Sequence, residues 1–304
     1  MFCWGVAVVY IVVMADILDA IITPLHLIPY ISRRTAVLLF WFFIMLPLSL
    51  GRIINSLRYA SLGCTISTMV LVTAICTHAV ENGASLKKGP LIKVERDTVS
   101  TLNTFVFSLC CQTVVSRIYS EMKNGNPCRI TTAAALSMGL CSFMYIVAGA
   151  FGAAEFGSQI EASVMHNFTD ELEKPYIALA FLATAVTVMM AFPMTIFLTR
   201  DYVLMVLGFT DNTNAHLSAT VSILLAFLAL ILASAVPNVR VLFDFLGGVF
   251  GGLVLFVFPA LFAMRCGFCK PSAVGWPHVL ATIILFLIEV FSCVLGVCPS
   301  FGLV

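Results

Sequence analysis

Stretches of about 20 apolar residues recur from one end of this 304-residue chain to the other, and each is long enough to cross roughly 30 Å of hydrocarbon as a helix. The bilayer core offers no water to the backbone, so every N–H and C=O of such a stretch must be satisfied within its own helix. Composition agrees. The chain is 61% hydrophobic and 10% charged, where a soluble domain carries about 45–50% and about 25%. Apolar windows and their polar breaks predict nine spans, near 2–22, 35–51, 59–80, 99–116, 131–153, 176–199, 216–236, 242–264 and 278–298. The expected architecture is an all-α membrane protein made of one multi-spanning domain over residues 1–304, embedded in a lipid bilayer. The run from Phe2 to Ile22 has no positive flank before it and carries Asp16 and Asp19, so it reads as a span rather than a signal peptide.

Charge narrows the function classes. Sixteen Lys+Arg against fifteen Asp+Glu leave a formal +1, with no basic field for nucleic acid. The basic residues divide equally between alternate loops, so the positive-inside rule does not orient the chain. The acidic loop around Glu155, Glu161, Asp170, Glu171 and Glu173 holds the sequon Asn167-Phe168-Thr169. Glycosylation at Asn167 would put that loop outside and the N-terminus inside. Eleven cysteines, mostly within apolar runs, read as small packing residues rather than a disulfide framework. Cys266 and Cys269 form a CxxC without two further ligands nearby, so no metal site is expected, and no motif calls for a cofactor. There is no HExxH, GxSxG or P-loop, and no Gly-x-Gly beside either Asp16 or Asp244, so an enzyme is not expected.

Ionisable groups inside spans are costly, about 2.5–3.5 kcal/mol for a central aspartate on insertion scales, and each is therefore a functional candidate. Asp16 and Asp19 lie three apart on one face of the first span; either they serve coupling or gating, or they reach interfacial water near a helix end. Asp244 opens the eighth span and is expected at the interface. Glu289 lies midway along the ninth, where it either lines a wet cavity or pairs with a neighbouring helix. In the fourth span Ser108-Leu109-Cys110-Cys111-Gln112 interrupts an apolar run with small and polar groups. Either the helix unwinds there to free backbone groups for a solute, or it continues with a polar packing stripe. Pro193 predicts a kink in the sixth span, with Arg200 reaching the interface. Gly247, Gly248, Gly251 and Gly252 suit close helix packing or a flexible wall on the substrate side.

Four stretches together resemble the amino acid/auxin permease family of secondary transporters, the protozoan members in particular: Pro47-Leu48-Ser49 with Ser56 to Ser61; Phe105 to Gln112 continuing to Ile118-Tyr119-Ser120-Glu121-Met122; Phe192-Pro193 with Phe197 and Arg200; and Phe256 to Phe262. The resemblance implies a leucine-transporter-like fold of two inverted five-helix repeats, an amino acid substrate, and alternating access. It begins at what would be the third of about eleven helices, so the first two are expected to be missing. By position it makes Ser108, Leu109, Cys110, Cys111 and Gln112 the substrate-binding break of the family's sixth helix. Gln112 stands where many relatives have histidine. Met189, Met190 and Ala191 precede Pro193 where sodium-coupled relatives place a hydroxyl, with Thr187 nearby as a possible gating residue. Protons are thus favoured over sodium as a coupling ion. Plasma membrane is the expected home, ahead of a vacuolar or lysosomal membrane. The other reading is a transport-inactive bundle that serves as a binding or regulatory partner.

Overall fold

The computed structural model describes residues 1–22, 33–50, 54–83, 97–122, 125–161, 163–209, 215–236 and 239–265, with 280, 283–284 and 286–287. Every regular element among them is helical. The chain divides into two compact units. One comprises Met1, Cys3–Leu91 and Leu140–Val239; the other comprises Phe2, Ile92–Gly139 and Arg240–Val304.

In the first unit α1 (Phe2–Ile22) is the most enclosed span, with Ala7, Val8, Ile11, Met14 and Ile17 buried at helical spacing. Next come α2 (Arg33–Phe40), a π-helical turn (Trp41–Met45) and α3 (Leu46–Ser49). The wide turn has a local cause. Pro47 has no N–H to offer Phe43, and its ring would crowd that carbonyl; the strain is relieved by a five-residue step in which Leu46 N–H donates to the Trp41 carbonyl. α4 (Ile54–Glu81) ends at Gly83, whose φ of 61° lies in the left-handed region that glycine adopts cheaply.

α7 (Pro127–Phe156) starts on Asn126, whose Oδ1 accepts from Cys128 N–H at 3.0 Å, with Pro127 in the first helical position. α8 (Val164–Asn167) lies in the segment that leads to α9 (Pro175–Val206). α9 packs along α4 and against α3 and α10 (Ala215–Ala235). Cys64 Sγ reaches the Thr187 carbonyl at 3.7 Å, while Tyr176 near the start of α9 bonds to Glu81 at the end of α4, so the two helices run antiparallel. The buried stripe Ile177, Phe181, Val188, Phe192 and Ile196 fills the inner face of α9. Outward-facing Leu136, Phe143 and Ile146 of α7 and Leu224 and Phe227 of α10 are exposed, as suits side chains against lipid tails.

In the second unit α5 (Asp97–Ser108) and α6 (Gln112–Glu121) are separated by residues 109–111. α11 (Val239–Phe245) continues through π-helical stretches Leu246–Gly251 and Leu253–Val257 into α12 (Phe258–Arg265). The first of these stretches packs on α5, and the second meets α6.

Six helices among the described residues are long and apolar enough to cross a membrane: Phe2–Ile21, Tyr59–Glu81, Pro127–Phe156, Pro175–Val206, His216–Ala235 and Val239–Val257. Of the other three expected spans, the second is a shorter apolar helix, Arg34–Ser49, and the fourth is cut in two by its break. The ninth lies almost wholly outside the described residues. Two side chains differ from expectation. Asp244 is only 3% exposed and Arg200 only 5%, so protein encloses both rather than interfacial water. Arg200 satisfies its charge locally, with its guanidinium 4.5 Å over the Phe197 ring and hydrogen bonds of 3.3 Å to Asp201 Oδ1. α9 runs as one helix through Pro193.

Candidate functional site

The helix break falls on the residues that interrupt the fourth apolar run. α5 stops at Ser108, and α6 restarts at Gln112 with Cys111 (φ −105°, ψ −8°) as its N-cap. Leu109 N–H bonds back to Phe105 O at 3.1 Å and Cys110 N–H to Phe107 O at 3.2 Å, which closes α5; Val114 N–H to Cys111 O at 3.1 Å opens α6. The Ser108 hydroxyl donates to Phe105 O at 2.9 Å. Ser108 and Gln112 are exposed, and Leu109, Cys110 and Cys111 are half-buried between them. Helix ends leave their outermost carbonyls and N–H groups without intrahelical partners, and the macrodipole makes a C-terminus partly negative and an N-terminus partly positive. Within a dozen residues this stretch therefore offers one end that favours an ammonium group and another that favours a carboxylate.

Gly247 and Gly248 meet α5 behind the break. A Cβ at Gly248 would lie 2.9 Å from Asn103 Nδ2, and one at Gly251 would lie 3.1 Å from Val106 Cγ1. This stripe is a packing surface for α5, the first of the two uses the sequence left open.

The other candidate residues lie in the first unit. Asp16 Oδ2 stands 3.7 Å from His166 Nε2 in the segment between α7 and α9. Asp19, one turn further along α1, is half-buried. The Thr187 hydroxyl donates to Ala183 O at 3.0 Å, a bond to its own helix that occupies its proton. Asn167 is built into its loop, with Oδ1 accepting from Glu161 N–H at 3.0 Å and Nδ2 donating to Gln159 O at 3.1 Å. Glu289, Cys266 and Cys269 lie outside the described residues.

One constellation was not foreseen. His78, in the last turn of α4 and 1% exposed, contacts Glu155 through Nδ1 and Glu171 through Nε2. Asn82 Nδ2 donates to Glu155 Oε1 at 2.9 Å, and Lys174 Nζ lies 2.6 Å from Glu171 Oε2. Phe168, the middle residue of the sequon, sets its ring edge-on to the imidazole at 4.9 Å and is itself buried. The Lys174 ammonium first, and the His78 ring next, hold the Glu171 carboxyl below the usual carboxylate range; Glu171 in turn holds Lys174 up. A sequence hint existed in His78 and Asn82, an i, i+4 polar pair at the end of an apolar run. Their partners, however, stand 77 and 93 residues further on.

Among the described residues, six apolar helices long enough to cross a membrane mark the chain as a multi-pass membrane protein. The model of the transmembrane amino acid transporter protein family matches residues 1–301, and the chain belongs to that family. It is similar to vacuolar amino acid transporter 5 of Saccharomyces cerevisiae, 26% identical over 231 residues that cover 69% of this chain and 49% of that protein. It is also similar to vacuolar amino acid transporter 6 of the same yeast, 24% identical over 227 residues covering 72% and 50%. The chain thus spans about half the length of the curated relatives it matches. The family is one of transporters rather than enzymes.

Proposed function

We propose that this chain moves amino acids across a membrane by alternating access, on a scaffold of inverted five-helix repeats, with the solute held at the break between α5 and α6. The observation that carries this reading is the break itself. Ser108 to Gln112 bring a helix C-terminus and a helix N-terminus within a few residues of each other in an otherwise apolar stretch, an arrangement complementary to the ammonium and carboxylate of a free amino acid. Family membership supports the substrate class.

Protons are the proposed coupling ion, in symport. Met189, Met190 and Ala191 offer no hydroxyl oxygen and Thr187 lies out of register with that position, which disfavours a sodium site there. Asp16 and Asp19 are the proposed gating carboxylates, Asp16 through its partner His166; Glu289 is a proposed third. The similarity to two yeast proteins named as vacuolar moves the proposed home from the plasma membrane towards a vacuolar or lysosome-like membrane. A glycan on Asn167 would put the segment between α7 and α9 on the side away from the cytosol.

The reading is tested by the kinetics of labelled amino acid uptake in vesicles containing Ser108→Trp and Gln112→Trp variants. Both are expected to abolish uptake or raise KM at least tenfold, since an indole fills the space a solute needs. Unchanged kinetics in both would remove the break from the transport path.

A further inference from the structure

α5 meets the π-helical stretch through one face. Asn103, Val106 and Phe107, spaced i, i+3 and i+4, lie against Gly247, Gly248 and Gly251, while Thr101, Leu102 and Phe105 are exposed. The approach is close: a Cβ at Gly247 would stand 3.2 Å from Phe107 Cβ, and one at Gly251 would stand 3.1 Å from Val106 Cγ1. Phe107 is the last residue of this face before the break, and Ser108 directly after it is exposed.

The Phe107 ring is gripped by two others. Its centroid lies 4.9 Å from that of Phe243 in α11 and 5.7 Å from that of Phe2, and all three residues belong to the second unit. Both separations fall in the range of about 4.5–7 Å over which ring pairs attract. Phe2 is buried, and its ring edge would be 3.9 Å from a Cβ at Gly251. The backbone of Phe107 meanwhile closes α5, because its carbonyl accepts from Cys110 N–H at 3.2 Å. One residue therefore ties the packing face of α5 to its carbonyl end, the end that favours an ammonium group.

We propose that Phe107 is a positioning residue for the solute: its ring, clamped between Phe2 and Phe243 and backed by Gly247, sets the direction in which the end of α5 presents its carbonyls at the break. The ring contacts its neighbours on the packing face and acts on the solute through the backbone of residues 107–111. Phe105, two residues earlier and 57% exposed, is outside the clamp. This assignment rests on the reading of the break as the solute site.

Cys110 and Cys111 are natural reporters of this geometry, since both are half-buried thiols within the break and neither is in a disulfide. The test measures their alkylation by N-ethylmaleimide, read by peptide mass spectrometry on the whole protein in lipid nanodiscs at one pH. KM and maximal rate of labelled amino acid uptake are measured beside it in liposomes. Phe107→Leu and Phe243→Leu keep apolar bulk and remove the ring pair. Each is expected to speed alkylation of the two thiols by about two- to tenfold, the equivalent of one lost ring pair, and to raise KM more than it lowers the maximal rate. The double variant should do no more than Phe107→Leu alone, because the two rings act as a unit. Phe105→Leu should leave the alkylation rates unchanged, and slow alkylation of the buried Cys3 reports an intact fold in every variant. Unchanged alkylation in both single variants, effects that add in the double variant, an equal rise with Phe105→Leu, or an unchanged KM in transporting protein would overturn the proposal. If the parent protein takes up nothing, the transport reading fails, while the thiol rates still decide whether Phe107 positions the break.

Discussion

Gly247 lies so close to Asn103 that a Cβ added to the glycine would stand 2.0 Å from the Asn103 carbonyl oxygen. The obstacle is backbone, which cannot rotate aside as a side chain can. Gly247→Ala must therefore push the π-helical stretch away from α5 or tilt α5 itself. The expected loss is about 1–3 kcal/mol, the usual range for overpacking. Gly63 and Gly139 are the internal controls, because a Cβ at either meets nothing within 4 Å. Alanine there should be neutral or slightly stabilising, since it removes the excess backbone freedom of glycine in a helix. Thermal unfolding in detergent distinguishes the three variants.

Arg200 is enclosed by protein, stacked on Phe197 and bonded to Asp201. Arg200→Leu should lower stability on the order of 1–3 kcal/mol, through lost ring stacking and charge-assisted hydrogen bonds. Lysine should recover only part of this, because an ammonium cannot stack flat on the ring or present the same planar donors. The same unfolding assay reads both substitutions.

Lys174 is the first cause of the lowered Glu171 pKa. A carboxylate held below its ordinary pKa contributes stability above that ordinary value and loses it as pH falls through the lowered one. Lys174→Met should therefore raise the Glu171 pKa, so that the contact between Glu171 and His78 starts to fail at a less acid pH than in the parent protein. Carbon-13 chemical shifts of the glutamate carboxyls, assigned with Glu171→Gln, follow the titration directly.

Glycosylation of Asn167 is compatible with its place in the loop, since a glycosylated amide keeps one N–H for the Gln159 carbonyl. Expression in a eukaryotic host should give a mobility shift that a peptide glycosidase removes and Asn167→Gln abolishes. An unmodified Asn167 would leave the orientation of the 157–174 segment to be mapped by cysteine labelling.

Much of the fold was legible because hydrophobic length is a one-dimensional property. The first apolar run was read as 2–22 and the helix is Phe2–Ile22; the seventh was read as 216–236 and the helix is Ala215–Ala235. The break at residues 109–111 was half legible: Ser108 and Gln112 put polar groups in an apolar run, but with no glycine or proline there a continuous helix with a polar stripe fitted the sequence equally well. Where the reading failed, the missing information was three-dimensional. Asp244, at the start of its span, and Arg200, beyond Pro193, were assigned to the interface, yet both are buried. The π-helical widening before Pro47 and Pro259 keeps the apolar pattern intact and so leaves no mark in hydropathy. His78 was passed over because one histidine near a helix end is unremarkable until Glu155 and Glu171 fold onto its two ring nitrogens.

The central claim, that this chain carries amino acids, is tested most directly by reconstituting it into liposomes and measuring accumulation of a mixture of radiolabelled L-amino acids with and without an inward proton gradient. The account predicts uptake above protein-free vesicles, increased by the gradient and lost with Gln112→Trp. No uptake by protein whose unfolding profile shows it to be folded would contradict transport by this chain, and would favour a membrane partner that keeps the helical bundle without moving solute.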